Sequence, residues 1–311
     1  MDLVFCGTPE FAVPTLDALL AAGHSIRLVV SQPDRPRGRG QQLAIGAVKR
    51  RALELGLPVT QPEKIKNNPE FRAQLEALAP RAIIVVAYGR IIPPWMLQLA
   101  PLGAINLHAS LLPKYRGAAP IQWAIGSGEK VTGATTMHID EGLDTGAILL
   151  QRKIEIGEDD TAVTLAPKIA ALGAELMIET LRGLGAGELR ATPQNHSEAT
   201  LAPLLKKEDG RMDFNLPAQV LVNRLRGFQP WPGAFTTFRG KNLQILQARV
   251  AGSSPPTSPG EISLTGRRIL IACGGGSALE LLELQPEGKS RMAAEAFING
   301  YHPQPLERLP S

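Results

Sequence analysis

Short apolar runs alternate with helix-like segments through the first part of the chain. Segments with apolar positions at helical spacing lie at 9–23, 69–80 and 161–184. Apolar runs that predict strands cover residues 3–7, 26–32, 57–62, 81–89, 103–109, 133–140 and 146–156. Because strand–helix alternation is typical of a parallel sheet with helices on both faces, the pattern predicts an α/β domain with a doubly wound sheet.

A different pattern follows Gly187. Helical periodicity ends there, and the next residues resemble a linker. Beyond them, short strand-like pieces such as AFTTFRG and RILIACGGG are separated by turn signals, which predicts a small β-barrel of five or six strands. The expected organisation is therefore a first domain over 1–187, a linker over 188–206 and a second domain over 207–311.

Composition agrees with two domains that each have a core. The chain has 311 residues, of which 44% are hydrophobic and 20% charged. No apolar run approaches the ~18–20 residues of a membrane span. The start of the chain lacks the basic region of a signal peptide, so we expect a cytoplasmic protein of bacterial type with no cleaved leader. Cys6 and Cys273 stand alone, which suits a reducing compartment.

The charge pattern indicates a polyanionic partner. The net charge of +4 is modest, but the basic residues are clustered. Residues 34–51 hold six basic side chains and a single acid, and residues 214–249 hold five basic side chains and no acid. The basic residues are Arg35, Arg37, Arg39, Lys49, Arg50 and Arg51 in the first cluster, and Arg224, Arg226, Arg239, Lys241 and Arg249 in the second. Two separate basic clusters favour a large anion such as a nucleic acid.

Candidate chemistry lies in the stretch GAINLHASLLPKYRGAAP, residues 103–120. Asn106 and His108 alternate on a predicted strand, so both side chains lie on one face, roughly 7 Å apart. They come at the carboxyl end of the strand, where open α/β sheets place their ligand crevice. The amide of Asn106 can donate to an oxyanion, and His108 can give or take a proton near neutral pH.

A carboxylate partner for His108 is expected from the run HIDEGLDTG, residues 138–146. This run carries Asp140, Glu141 and Asp144 between glycines, just after a predicted strand. An Asn, a His and a carboxylate together can catalyse acyl transfer, because the donor stabilises a tetrahedral oxyanion and the carboxylate–imidazole pair handles the protons.

Each of these patterns also has an ordinary structural explanation. Asn-x-His on a strand is typical of a pair of satisfied polar residues. The Asp- and Gly-rich run is typical of a turn, and an arginine-rich loop is typical of solvated surface.

The patterns taken together are far more specific. SLLPKYRGAAPIQWAI after NLHA, with DEGLDTG about thirty residues later, resembles the folate-dependent formyltransferases. GTPEFAVPTLDALL, SQPDRPRGRG, VVAYGRIIP, GFQPWPGAF and LQPEGKSRM resemble the members of this family that act on initiator tRNA. The resemblance runs from about residue 3 to residue 300. It implies a Rossmann-like catalytic domain, a C-terminal OB-fold-like β-barrel, and transfer of a formyl group from 10-formyltetrahydrofolate to the methionine of initiator methionyl-tRNA.

The resemblance also assigns roles to residues. The catalytic trio of the family falls on Asn106, His108 and Asp144. Its folate-binding segment falls on Ser110, Leu111, Leu112 and Pro113, and its tRNA contacts fall on Arg35, Arg37, Arg39, Lys206 and Lys207. The arginines lie in DRPRGRGQQL, residues 34–43, whose Pro and Gly content favours neither helix nor strand, so we expect a loop that orders on RNA. Where relatives carry lysines, this loop has GQQL.

Three alternatives stay open, and several ligands are not expected. The chain could formylate a sugar amine or glycinamide ribonucleotide, bind RNA without catalysis, or be a dinucleotide-dependent dehydrogenase. The sequence has no phosphate-binding G-x-x-x-x-G-K-[ST] loop and no G-x-G-x-x-G after the first strand, so no bound nucleotide is expected. The scattered histidines predict no metal site. No dimerisation helix is evident, and we expect a monomer.

Overall fold

A computed structural model of the chain describes residues 1–37, 42–252 and 258–310. The first part contains the strands β1 (Asp2–Gly7), β2 (Ser25–Val30), β3 (Arg35–Arg37), β4 (Gln42–Ala44), β5 (Val59–Thr60), β6 (Ala82–Val86), β7 (Ala104–His108), β8 (Val131–His138) and β9 (Ile148–Glu155). Its helices are α1 (Val13–Ala21), α2 (Ala47–Glu54), α3 (Pro69–Leu78), α4 (Pro94–Leu97), α5 (Pro120–Gly126) and α6 (Ala162–Ala186).

Within the described ranges, the first sheet has seven strands in the order β5-β2-β1-β6-β7-β8-β9. The first five run parallel, as the alternation of strands and helices predicts. The α/β class and the Rossmann-like, doubly wound arrangement are confirmed. The alternation indicated a parallel sheet, and the structure adds to its five parallel strands the antiparallel strands β8 and β9. Only residues 139–147 join these two strands, and a parallel crossover needs a dozen residues or more.

The centre of this sheet is apolar on both faces. All five residues of β6 are buried, as are residues 3–6 of β1. Strands covered on both sides read as continuous apolar runs, which is the pattern seen in the sequence. Chain order reverses between β1 and β6, and the carboxyl ends of the parallel strands form the edge at which ligands bind in such sheets.

Helix α6 begins at a reciprocal pair of caps. The Thr164 amide donates to the Thr161 hydroxyl oxygen, and the Thr161 amide donates to that of Thr164. Orphan amide groups at the helix start are thereby satisfied. Pro167 lies inside the helix, close to this start, as the sequence indicates.

The second part of the chain forms an antiparallel sheet. Its elements are helix α7 (Ala218–Gly227), strands β10 (Ala234–Phe238), β11 (Lys241–Ala251), β12 (Ile262–Thr265), β13 (Arg268–Cys273), β14 (Ser277–Pro286) and β15 (Met292–Ala293), and helix α8 (Ala294–Tyr301). The order is β10-β11-β14-β13-β12, with β15 also paired to β14. An apolar core lies under α7 and α8. No ladder joins β10 to β12 among the described residues, so the expected closure into a barrel is not confirmed.

The chain divides into two compact units whose boundaries differ from the expected ones. One unit holds residues 1–120, 131–155 and 166–203, and the other holds 121–130, 156–165 and 204–311. The expected domain over 1–187 therefore gives two segments to the second unit. Most of the expected linker 188–206 belongs to the first unit, where Thr192 pairs with Ile148 and Ala202 with Arg116 through backbone hydrogen bonds.

The arms of the 34–43 loop are more regular than expected. Strands β3 and β4 form an antiparallel ladder in which Arg35 faces Ala44 and Arg37 faces Gln42. The expectation that this stretch forms no strand is wrong at these positions, because backbone pairing across the hairpin outweighs the weak local propensity. Arg39 lies outside the described residues.

The part of the chain that the structure describes contains no helix that is long and apolar enough to span a membrane.

Candidate active site

Strand β7 presents two polar side chains near the carboxyl edge of the first sheet. Asn106 lies between Val85 of β6 and Met137 of β8, and His108 faces Thr135 of β8. His108 is only 5% exposed, and Asn106 is half-buried. Within the described residues, the side-chain amide of Asn106 has no hydrogen-bond partner. This amide is thus available to a substrate.

The imidazole of His108 has a polar neighbour at each nitrogen. Its Nε2 lies 2.9 Å from the backbone oxygen of Tyr115, and its Nδ1 lies 3.6 Å from Oδ2 of Asp144. A carbonyl oxygen can only accept, so Nε2 must carry a hydrogen. The other nitrogen, which faces the carboxylate, is left to exchange a proton.

The turn after β8 selects one of its three acids. Asp144 faces His108, and its Oδ2 also accepts a hydrogen bond of 2.8 Å from the Gly117 amide. Asp140 instead holds the turn together, since its Oδ1 accepts from the Gly142 amide and the Thr145 hydroxyl. Glu141, the third acid, is exposed.

The geometry suits acyl transfer to an amine. Asn106 offers a neutral donor that can stabilise an oxyanion, while His108 and Asp144 form a pair that can take up and release a proton. A hydrogen bond from the Gly117 amide helps to orient the Asp144 carboxylate. Among the described residues no group of His, Cys, Asp and Glu could hold a metal ion.

The Ser110–Pro113 segment is anchored to β8 and β9. The Thr135 hydroxyl donates to the Ser110 backbone oxygen at 2.6 Å and accepts from the Leu112 amide at 3.2 Å. Gln151 donates to the Leu112 backbone oxygen at 2.8 Å. The segment is therefore a fixed wall beside the strand end.

Only part of this wall can touch a ligand through side chains. Ser110 is fully buried, and its hydroxyl donates to the Lys114 backbone oxygen at 2.6 Å. Leu112 is 3% exposed, whereas Leu111 and Pro113 are half-buried. Contacts to a folate from this segment would thus come from Leu111, Pro113 and the backbone.

The first basic cluster is largely paired with acids. Lys49 bonds to Asp34, Arg50 to Glu10, and Arg51 to Asp17 and Glu54. Arg35 is exposed on β3, and Arg37 lies on the same strand. Within this cluster, the surface that remains for a polyanion is therefore the hairpin of β3 and β4. The charge count along the sequence combined its arginines with the basic residues of α2.

The second basic cluster is largely structural, which corrects the expectation from sequence. Arg226 donates to the backbone oxygens of residues 157, 158 and 160. Arg239 pairs with Glu307 and lies over the Phe238 ring, and Arg249 pairs with Glu280. Acids distant in sequence neutralise Arg239 and Arg249, and backbone oxygens hold Arg226, so counting charges along the chain overestimated the patch.

The two lysines near the unit boundary are exposed. Lys206 precedes a short 3₁₀ helix, Lys207–Gly210, and its amide donates to Asp209 at 2.6 Å. Neither ammonium group is buried, so both remain accessible to an anion.

Sequence reasoning missed two groups that shape the site. The Gly117 amide orients Asp144, and the Thr135 hydroxyl fixes the wall. Gly117 has φ of 120°, and a Cβ there would lie 2.7 Å from the Ala202 oxygen. A glycine after KYR was visible in the sequence, but the chain segment it must approach was not.

Known proteins of similar sequence are formyltransferases. Residues 1–181 match a formyl transferase family model, and residues 204–302 match the model of a formyl transferase C-terminal domain. The methionyl-tRNA formyltransferase of Koribacter versatilis (strain Ellin345) is 63% identical over 309 residues, covering 99% of this chain and 98% of that one. That of Caldanaerobacter subterraneus is 48% identical over 302 residues, with 97% of each covered.

Solved structures share the fold at low identity. A sugar 3N-formyl transferase, WlaRD, has a TM-score of 0.66 at 17% identity, covering 93% of this chain and 99% of that one. An N-formyltransferase from Helicobacter canadensis has a TM-score of 0.64 at 17% identity, covering 91% and 98%. Together with the match of the family model to more than half of its residues, these comparisons establish that the chain belongs to the formyl transferase family.

Proposed function

We propose that this protein transfers the formyl group of 10-formyltetrahydrofolate to the α-amino group of methionine on initiator methionyl-tRNA. The product is formylmethionyl-tRNA for translation initiation. The observation that carries the proposal is the end of β7, where the free Asn106 amide lies next to a His108–Asp144 pair. Relatives that are 48–63% identical over nearly the whole chain are methionyl-tRNA formyltransferases.

The reaction forms one C–N bond and breaks another. The methionine amine attacks the formyl carbon, which gives a tetrahedral centre whose oxygen carries negative charge. Asn106 donates a hydrogen bond to this oxygen, and a donor placed where charge develops typically contributes about 10²–10³ in rate. Collapse of the centre expels N10 of the folate and leaves the formyl group on the amine.

The proton balance of the reaction falls to His108 and Asp144. The attacking amine loses a proton, and the leaving N10 gains one. His108 keeps its Nε2 hydrogen on the Tyr115 oxygen, so Nδ1 is the nitrogen that exchanges with Asp144 and the substrates. Tetrahydrofolate leaves as the second product.

Both substrates have candidate surfaces. The wall for the folate is the segment Ser110, Leu111, Leu112 and Pro113, which offers the side chains of Leu111 and Pro113 and backbone atoms. Contacts to tRNA fall to Arg35, Arg37, Arg39, Lys206 and Lys207, since arginine pairs with phosphate and stacks on unpaired bases. We place the protein in the cytoplasm as a monomer that does not bind membranes.

The alternative acceptors differ from tRNA in charge. A sugar amine or glycinamide ribonucleotide carries a few charges at most, whereas tRNA carries a phosphate at every nucleotide. Rising salt should therefore weaken the use of tRNA steeply and that of a small acceptor much less. The chain's resemblance to sugar formyltransferases is at 17% identity and extends to the fold alone.

The test is a direct assay. Purified protein is incubated with 10-formyltetrahydrofolate and methionyl-tRNA, and formylmethionine is measured after deacylation. An amino sugar nucleotide and glycinamide ribonucleotide serve as competing acceptors. Formylation of methionyl-tRNA alone supports the proposal; transfer only to a small amine would assign another acceptor, and RNA binding without transfer would leave a binding protein.

A further inference from the structure

The turn that carries Asp144 is held by a residue far along the chain. The Gln194 side chain is buried, and its Nε2 donates to the backbone oxygens of Asp144, at 2.9 Å, and Gly146, at 2.7 Å. One amide group thus holds both ends of the short segment that presents the carboxylate to His108.

A buried arginine fixes the direction in which this amide points. Arg116 donates to Oε1 of Gln194 from Nε at 3.1 Å and from Nη2 at 2.6 Å. A guanidinium group only donates, so Oε1 must face it and Nε2 must face the turn. His196 is a second partner of Arg116, through Nδ1 at 3.3 Å.

This turn needs support because its backbone is unusual. Asp144 has φ of 50°, a left-handed conformation that residues with a Cβ rarely adopt. At Gly146, the turn passes so close to the His138 oxygen that no side chain fits. Without the two hydrogen bonds from Gln194, only the Gly117 amide would still hold Asp144, and the backbone could relax toward an ordinary conformation that shifts the carboxylate relative to His108.

We propose that Gln194 is a positioning residue for the catalytic carboxylate, oriented by Arg116. This inference rests on the proposed formyl transfer. It gives a role to a segment that the sequence predicted as a linker. The relay runs from the Arg116 guanidinium through the Gln194 amide to the Asp144 backbone, so Gln194 acts through Asp144.

Two substitutions separate the parts of this relay. Gln194→Leu removes both donors and the acceptor for Arg116. Gln194→Glu keeps the shape and the Arg116 contact, but it places acceptor oxygens against the carbonyls of Asp144 and Gly146. Thr180→Val is the matched control, since Thr180 is fully buried in the same unit and loses its hydrogen bonds to Thr136 and Leu176 without touching the turn.

The expected result is a loss of turnover with intact donor binding. Both Gln194 variants should lower kcat about 10- to 100-fold, the scale of a misplacement near 1 Å, and leave the Kd of a folate analogue unchanged. Thr180→Val should keep kcat. In the Asp144→Asn background, Gln194→Leu should cost little more, because the carboxylate it positions is already gone.

A second measurement does not depend on activity. Amide hydrogen exchange over residues 140–146 should be faster in both Gln194 variants and unchanged in Thr180→Val. A wild type that fails to formylate methionyl-tRNA would overturn the proposed function, while exchange would still report on the turn. Unchanged kcat in Gln194→Glu, unchanged exchange, or a full additional loss in the Asp144→Asn background would overturn the positioning role.

Discussion

At the scale of single residues, one backbone carbonyl limits how His108 can act. The Tyr115 oxygen takes the Nε2 hydrogen, so proton exchange is confined to the nitrogen that faces Asp144. Asn106, two residues earlier on the strand, does not titrate and can donate a hydrogen bond without changing its charge. In the proposed reaction, Asn106 stabilises the oxyanion and His108 handles the proton.

The first prediction separates these roles. Asn106→Ala should lower kcat by about 10²–10³, because one donor to the oxyanion is lost, while the Kd of a folate analogue stays unchanged. Single-turnover formylation and calorimetry with the analogue measure the two quantities.

Asn106→Asp is the companion variant for this prediction. It keeps the shape of the side chain but exchanges the amide donor for a carboxylate oxygen, so it should be no more active than Asn106→Ala. Turnover close to that of the wild type in either variant would remove Asn106 from the oxyanion site.

Much of the site was predictable at this scale, for a local reason. The period of two along β7 places Asn106 and His108 on one face whatever the rest of the chain does. The choice of Asp144 over Asp140 was not predictable from spacing, since both occur in one turn with glycines. It depends on the hydrogen bond from the Gly117 amide to Asp144, and the sequence does not show that these two residues lie close together in the fold.

At the scale of elements, a buried carboxylate links three strands of the second sheet. Glu280 on β14 is 4% exposed and accepts hydrogen bonds from Arg268 on β13 and Arg249 on β11. Hydrogen bonds from these arginines lower the pKa of Glu280 from 4.5 to about 2, and Arg268 has a larger effect than Arg249. This stabilising contribution is complete above pH 4.5 and is lost as the pH falls toward 2.

The second prediction concerns the pH dependence of this contribution. Glu280→Gln should lower the free energy of unfolding at pH 7 by about 2–3 kcal/mol. The difference between wild type and variant should shrink as the pH falls below 4.5 toward 2. Urea unfolding at a series of pH values measures it, and a difference that is constant with pH would show that the carboxylate charge is not the cause.

The third prediction concerns a close approach between two segments of the second unit. A Cβ at Gly227, the last residue of α7, would lie 2.6 Å from the Gln122 oxygen and 2.7 Å from the Gly126 nitrogen. Because backbone atoms cannot give way, Gly227→Ala should cost about 1–3 kcal/mol of stability.

Gly300 is the matched control for this prediction. It also lies near the end of a helix, but a Cβ there would meet nothing within 4 Å. Gly300→Ala should therefore stabilise by up to about 1 kcal/mol. Thermal unfolding of the two variants should shift the midpoint in opposite directions, and equal shifts would refute the contact.

The sequence predicts a helix or strand where the pattern of the segment itself is sufficient. It does not predict features that depend on pairing between strands. The continuous apolar run of β6 predicts a strand, and Thr161 with Thr164 marks the start of α6. The direction of β8 was hidden, because a strand's pattern is the same in parallel and antiparallel sheets. The hairpin of β3 and β4 was missed because its residues have weak strand propensity and pairing across the hairpin holds them.

At the scale of the whole molecule, the positive charge is less available than the composition suggests. Arginines in both clusters are neutralised by acids from other parts of the chain, such as Glu280 and Glu307. The net charge of +4 thus says little about the surface. Of the residues proposed to contact tRNA, Arg35 on the β3–β4 hairpin and the lysines at 206 and 207 are exposed.

The fourth prediction tests that hairpin. Replacing Arg35, Arg37 and Arg39 together with Ala should weaken kcat/KM for methionyl-tRNA by several kcal/mol, at ~1–3 kcal/mol per contact, and flatten its salt dependence. Folate binding should not change. Kinetics across a salt series measures both effects, and curves that coincide with those of the wild type would leave the hairpin as plain surface.

Loss of net charge needs its own control. Arg27, Arg72 and Arg152 each pair with an acid on the surface of the first unit. Replacing these three with Ala changes the net charge equally, so it should reproduce only the part of the effect that is not specific to the hairpin.

The interleaving of the two units sets an order of events during synthesis. Segments 121–130 and 156–165 leave the ribosome well before residues 204–311, with which they form one unit. The ring centroids of Trp123 and Phe228 lie 5.2 Å apart, and Phe228 is translated much later than Trp123. At roughly 5–20 residues per second, the nascent chain displays this indole for on the order of 5–20 seconds. Segments 121–130 and 156–165 can therefore complete their packing only after residues 204–311 have been translated.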